Sequence, residues 1–169
     1  MFIYPILFIA LFISFITDIK ERKILNIITL PTILYGVIYH SIANGWSGFL
    51  FSGFGFVVGF GLLLIPFILG GMGAGDVKLM SAIGSLMGAM FIMKAFVYIS
   101  IIGGVISLFL IIRNRGYLDT VKNVGIMVPS LKDSQGNITL NEKSKDKIVF
   151  PYGVPIVLGT VLTIIWGGV

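Results

Sequence analysis

Charged residues occupy a few short stretches of this chain, and the intervals between them are long and apolar. From Ile24 to Gly75 run 52 consecutive residues without Asp, Glu, Lys or Arg. Crossing about 30 Å of hydrocarbon takes about 20 helical residues, so this stretch is too long for one span and fits two joined by a turn. The turn is expected at Ser41–Gly48, where Asn44-Gly45 is a turn signal and Trp46 suits a membrane interface. Leu79 to Ile112, 34 residues carrying Lys94 as their only charge, read as two more spans with a tight connection. Uncharged segments at both ends complete the set. The pattern predicts an all-α polytopic membrane protein with six transmembrane helices, at about 2–17, 25–42, 47–69, 77–92, 95–112 and 151–168. All six belong to a single membrane-embedded domain over residues 1–169. One polar segment interrupts it, residues 113–149, with seven basic and four acidic residues. It reads as a solvated loop held on one side by its charge.

Composition narrows the class without changing the pattern. The chain is 57% hydrophobic and 11% charged, against about 25% charged for a soluble domain. A soluble globule and a disordered chain are both excluded. Cysteine is absent, so thiol catalysis, cysteine-ligated zinc and disulfides are excluded too. His40 is the single histidine and is expected at an interface in the external turn; no metal or other cofactor is expected. The net charge of +5 points to topology and not to nucleic acid. Eleven of the twelve basic residues fall in the loops after spans 1, 3 and 5, leaving Lys94 alone on the other side. By the positive-inside rule those loops are cytoplasmic and both termini lie outside. No basic residue precedes the first apolar run and no small-x-small site follows it, so residues 1–17 read as a span and not a signal peptide.

Chemistry then has to come from the few polar groups near the membrane boundary. Asp18 ends the first span, and Asp76 lies in Gly70-Gly-Met-Gly-Ala-Gly-Asp-Val-Lys78 at the start of the fourth. Both are expected at the cytoplasmic face and at similar depth. Taken singly, Asp18 reads as an interfacial residue beside Lys20 and Arg22, and Asp76 as a helix cap. Taken together they read as a catalytic pair. Two carboxyls within reach of one water share a proton, so one can act as base on the water and the other as acid toward a carbonyl. A proton relay in a small transporter is the alternative, although relay acids are expected nearer the midplane. Gly73 and Gly75 either support the site, through φ > 0 or close peptide approach, or form a flexible turn. Lys78 either tunes Asp76 or snorkels to phosphates. Asn26 either bonds near Asp18 or caps the second span. Pro151 and Pro155 suit a first helical turn, and the Gly55/Gly59 and Gly84/Gly88 pairs suit helix packing.

Asp18-x-Lys-x-Arg-x-Ile-x-Asn26, the Gly70–Met80 element and Pro151-Tyr-Gly-Val-Pro155 together resemble the type IV prepilin peptidases. These are intramembrane aspartic proteases of the Gly-x-Gly-Asp type. The resemblance covers most of the chain outside residues 113–149. It implies that Asp18 and Asp76 are catalytic, and that the enzyme removes short basic cytoplasmic leaders from prepilin-like or preflagellin-like precursors. The short plan is similar to the Tad/Flp-pilus and archaeal preflagellin peptidases. Two departures stand out. Leu25 occupies the place where the family usually has proline. The cysteine-bearing domain of bifunctional members is missing, so N-methyltransferase activity is not expected.

Overall fold

The structure, a computed structural model, describes residues 3–21, 23–113 and 152–166. Among these, all regular structure is helical: α1 (Ile3–Glu21), α2 (Asn26–Ile68), α3 (Ala74–Met87), α4 (Ala89–Arg113) and α5 (Gly153–Trp166). Residues 1–103 and 150–169 form one compact unit. A second unit, 104–149, contributes only the far part of α4 to the described residues. The expected loop beyond Arg113, Arg22, Pro151 and both chain ends lie outside the described residues.

Of the six expected spans, the described residues bear out a helical fold with long apolar helices. Three helices are long and apolar enough to cross a membrane: α1, α2 and residues 89–109 of α4. At 14 residues each, α3 and α5 are only about 21 Å long. α2 consists of two arms, 26–44 and 46–68, broken at Gly45, whose φ of 58° lies in the left-handed region. The break falls inside the turn expected at Ser41–Gly48.

The two arms converge on α3. A Cβ at Gly36, on the first arm, would lie 2.9 Å from the Ser85 carbonyl oxygen. From the second arm the Ser52 hydroxyl donates to that same carbonyl at 2.8 Å. Gly55 meets Gly84, and Gly59 meets the Met80 carbonyl, which sets α3 antiparallel to the second arm. The buried stripe Gly48, Ser52, Gly55, Gly59 recurs at helical spacing. Small residues there let the two backbones approach closely, which favours association where lipid is as apolar as any side chain. The packing role expected for Gly55, Gly59 and Gly84 therefore holds. From Asp76 to Leu86 every residue of α3 except Lys78 is buried, so α3 is the central helix of the unit. Large apolar side chains such as Phe8 and Phe12 of α1 and Leu34 and Phe54 of α2 point outward, as a lipid-facing surface requires.

Two expectations fail here for identifiable reasons. The break between the fourth and fifth segments comes at Gly88, with φ 85°, and not at 93–94. A charge suggested the wrong boundary: Lys94 lies within α4 on its exposed side, while the chain reverses where a glycine admits a left-handed residue. His40 is buried, not interfacial, and its Nε2 lies 2.9 Å from the Leu86 carbonyl oxygen. That carbonyl is in the last turn of α3, where helix carbonyls lack intrahelical donors.

Candidate active site

The buried residues of α1 are Leu7, Ala10, Leu11, Ser14 and Asp18. Their spacing of three, one, three and four keeps them on one face. Asp18 therefore ends the core-facing stripe of α1, only 5% exposed, while its neighbours Ile19 and Lys20 face outward. An interfacial carboxylate would sit on the opposite side of the helix. The backbone N–H groups of Gly153 and Val154, at the start of α5, donate toward the Asp18 carboxyl. Oδ2 has no hydrogen-bond partner among the described residues. Gly153 packs directly on this carboxyl: a Cβ there would lie 2.6 Å from Oδ2 and 2.8 Å from Cγ.

Asp76 is reached from the other direction. Gly73 is the N-cap of α3, and its N–H donates to Asp76 Oδ2 at 3.1 Å. Glycine has no side chain to return that bond, so this is half of a capping box. Asp76 is 6% exposed. α1 packs against α3, and the Asp18 carboxyl acts electrostatically on Asp76. Two acids far apart in sequence are thus buried on helices that pack together, each approached by backbone amides of a helix start.

The remaining expected site residues are placed as follows. Neither Gly73, with φ −81°, nor Gly75 has positive φ; among the described residues the glycines with positive φ are Gly45, Gly70 and Gly88. The freedom expected at Gly73 or Gly75 is therefore used at Gly70. Gly75 serves close approach instead, but by this chain's own backbone. A Cβ there would lie 2.8 Å from Ile24 Cβ and 3.2 Å from Ile24 N and O. Lys78 Nζ donates to Asn26 Oδ1 at 2.8 Å, joining the start of α2 to α3. Residues two apart on a helix do not face one another, so Lys78 leaves Asp76 on a different side. Pro155 is buried in the first turn of α5. No group of three or more His, Cys, Asp or Glu side chains among the described residues could hold a metal ion. Sequence reasoning missed Gly153 and Ile24. Gly153 sits within the Pro-Tyr-Gly-Val-Pro element, which could have flagged it; Ile24 carried no signal.

These contacts separate two kinds of glycine. Gly84→Ala pushes a methyl into the Gly55 carbonyl and is expected to destabilise by about 1–3 kcal/mol, as overpacking does. Gly75→Ala pushes against the link between α1 and α2 and is expected to cut proteolysis by about a hundredfold if it displaces a carboxyl by an ångström. Melting temperature in detergent and cleavage rate, measured on both variants, read the contrast directly.

A membrane protein whose described residues are helical, with two buried aspartates on packed helices, is the class that fold and site define. The chain belongs to the type IV leader peptidase family, whose family model matches residues 5–108. The match includes Asp18, Asn26, Asp76 and Lys78, and it makes the protein a leader-peptidase-like protease. Curated proteins and solved structures give no match.

Proposed function

We propose that this protein is an intramembrane aspartic endopeptidase that removes the short basic leader from type IV prepilin-like or preflagellin-like precursors. One observation supports the reading: Asp18 and Asp76 are each buried, on helices α1 and α3 that pack together, in a chain otherwise poor in carboxylates. In this mechanism the ionised carboxyl takes a proton from a water, and the protonated one donates to the scissile carbonyl. The water oxygen bonds to the carbonyl carbon; the C–N bond then breaks as the leaving amine takes a proton from the carboxyl that had accepted one, and a hydroxyl of the tetrahedral intermediate returns a proton to the other carboxyl as C=O reforms. Neither a nucleophilic side chain nor a metal takes part. The peptidase family argues against the transporter alternative.

The cytoplasmic face suits this substrate, because a basic leader stays on the side that retains Lys and Arg. Co-expression with candidate leader-bearing pilins, scored by mobility shift, tests the function. Orientation has its own test. A reporter fused after Lys132 is expected to read cytoplasm, and one near Asn44 to read the exterior. External labelling of Lys132 with protection of Asn44 would invert the topology and place both aspartates on the wrong side for such a leader.

A further inference from the structure

Buried helical hydroxyls among the described residues find a backbone carbonyl to donate to, except two. Ser81, Thr160 and Thr163 each donate to the carbonyl one turn back, at 2.7–2.8 Å, and Thr32 does the same at 2.7 Å. This is the usual way for a helix to satisfy a hydroxyl in an apolar setting. Ser14, 0% exposed, does not do so. Its Oγ has no partner among the described residues, and the same is true of Thr29 Oγ1 and Asp18 Oδ2. These three atoms are the complete set of buried, unpartnered side-chain oxygens among the described residues. All lie on α1 or the first turns of α2.

Ser14 and Asp18 are one helical turn apart on the buried stripe of α1. Side chains at this spacing have Cβ atoms about 5–6 Å apart, and helical side chains lean toward the N-terminus, which tilts Asp18 toward Ser14. No direct hydrogen bond joins the two side chains, since neither Ser14 Oγ nor Asp18 Oδ2 has a partner among the described residues, and a water between two such neighbours can bond to both. A buried polar atom left without any partner costs about 1–3 kcal/mol, so two such atoms one helical turn apart on the same buried stripe favour an ordered water.

We propose that Ser14 is a positioning residue that holds a water against Oδ2 of Asp18 and so fixes that carboxyl. The inference rests on the reading of Asp18 as catalytic. Ser14 touches neither substrate nor the reacting bond; it acts through the carboxyl. Its hydroxyl donates to the water, and the water donates to Oδ2. Backbone amides reach the same carboxyl from α5, so the carboxyl is fixed from two directions.

The test uses the full chain, with cleavage of a leader-bearing pilin precursor followed in detergent. Ser14→Ala is expected to lower kcat by about ten- to a hundredfold, the loss of one such bond, with KM and melting temperature unchanged. Ser14→Cys, close in volume but a poor hydrogen-bond donor, is expected to behave like alanine, and Ser14→Thr to keep most activity. Wild-type kcat in both Ser14→Ala and Ser14→Cys overturns the proposal. So does a loss that follows melting temperature, which would make Ser14 a packing residue. Should Ser14→Thr fail to fold, the alanine and cysteine pair still decides. Asp18→Asn in the same assay separates the two levels. If it cleaves normally, the catalytic reading fails; if it is inactive while Ser14→Ala is normal, only the role of Ser14 fails.

Discussion

Asp76→Asn and Asp18→Asn are each expected to abolish cleavage of a leader-bearing precursor while the protein still inserts in the membrane. Losing the acid or the base of a pair removes about 10²–10⁴-fold of general acid–base catalysis, and each member has to serve in both halves of the reaction. Asparagine is the informative replacement because it also tests the simplest competing role. Asp76 accepts the Gly73 N–H at the start of α3, as any helix-capping residue would. The asparagine carbonyl accepts that bond equally well. A residue that only capped α3 would therefore tolerate the change, with wild-type cleavage and melting temperature. A residue that exchanges a proton cannot. Mobility-shift assays on membrane fractions of equal protein content distinguish the two outcomes, and a membrane-inserted Asp76→Asn enzyme cleaving at the normal rate would sink the dyad.

Gly153→Ala is the second change expected to have a large effect, and it lies outside the part of the chain that matches the family model. The added Cβ would fall 2.6 Å from Asp18 Oδ2, 2.8 Å from Cγ and 2.9 Å from Cβ. Ordinary contact between such atoms needs about 3.5 Å or more, so Asp18 has to move by several tenths of an ångström or α5 has to shift away. Either response also lengthens the bonds from the Gly153 and Val154 amides. Misplacement on that scale costs about a hundredfold in rate. Some loss of melting temperature is expected as well, because turning the carboxyl does not relieve the contact with Asp18 Cβ and a helix has to shift. Cleavage rate and melting temperature measured together check this. An active Gly153→Ala enzyme would show that the position of Asp18 is not critical.

Much of this arrangement is legible in the sequence, and what is not has physical causes. The 52-residue uncharged run has to turn near its middle, and it does so at Gly45. Asp18 is legible twice, as an acid at the end of an apolar run and as the last member of the stripe that begins at Leu7. The boundary between α3 and α4 is not legible by the same logic. Lys94 looks like a connection because charge avoids lipid, yet one lysine on an exposed helix face can extend its ammonium toward polar groups. Gly88, one of 22 glycines, gives no sign that it has positive φ. His40 reads as interfacial by composition alone. Its burial depends on the Leu86 carbonyl, 46 residues away, which no local pattern reveals. Gly153 and Ser14 are hidden for the same reason, since what matters about each is a distant partner or the lack of one.

The antiparallel register of α3 has a consequence for how a peptide can be presented. Gly55 meets Gly84 and Gly59 meets Met80, and extending that register by one more turn brings Asp76 level with Leu63. Leu63 lies five residues before the end of α2 at Ile68, a depth of about 7–8 Å at 1.5 Å per residue. Asp18 lies three residues before the end of α1, about 4–5 Å down. Both carboxyls thus lie within about two turns of a helix end and not at the last residue. A helical segment cannot offer a carbonyl there, because its carbonyls are already bonded within the helix and screened by side chains. Two or three residues in extended form, at about 3.3 Å each, are enough to cover that depth. Susceptibility would then be decided by how readily a precursor unravels over those few residues, which makes local helix propensity as important to selection as any side chain that fits a pocket.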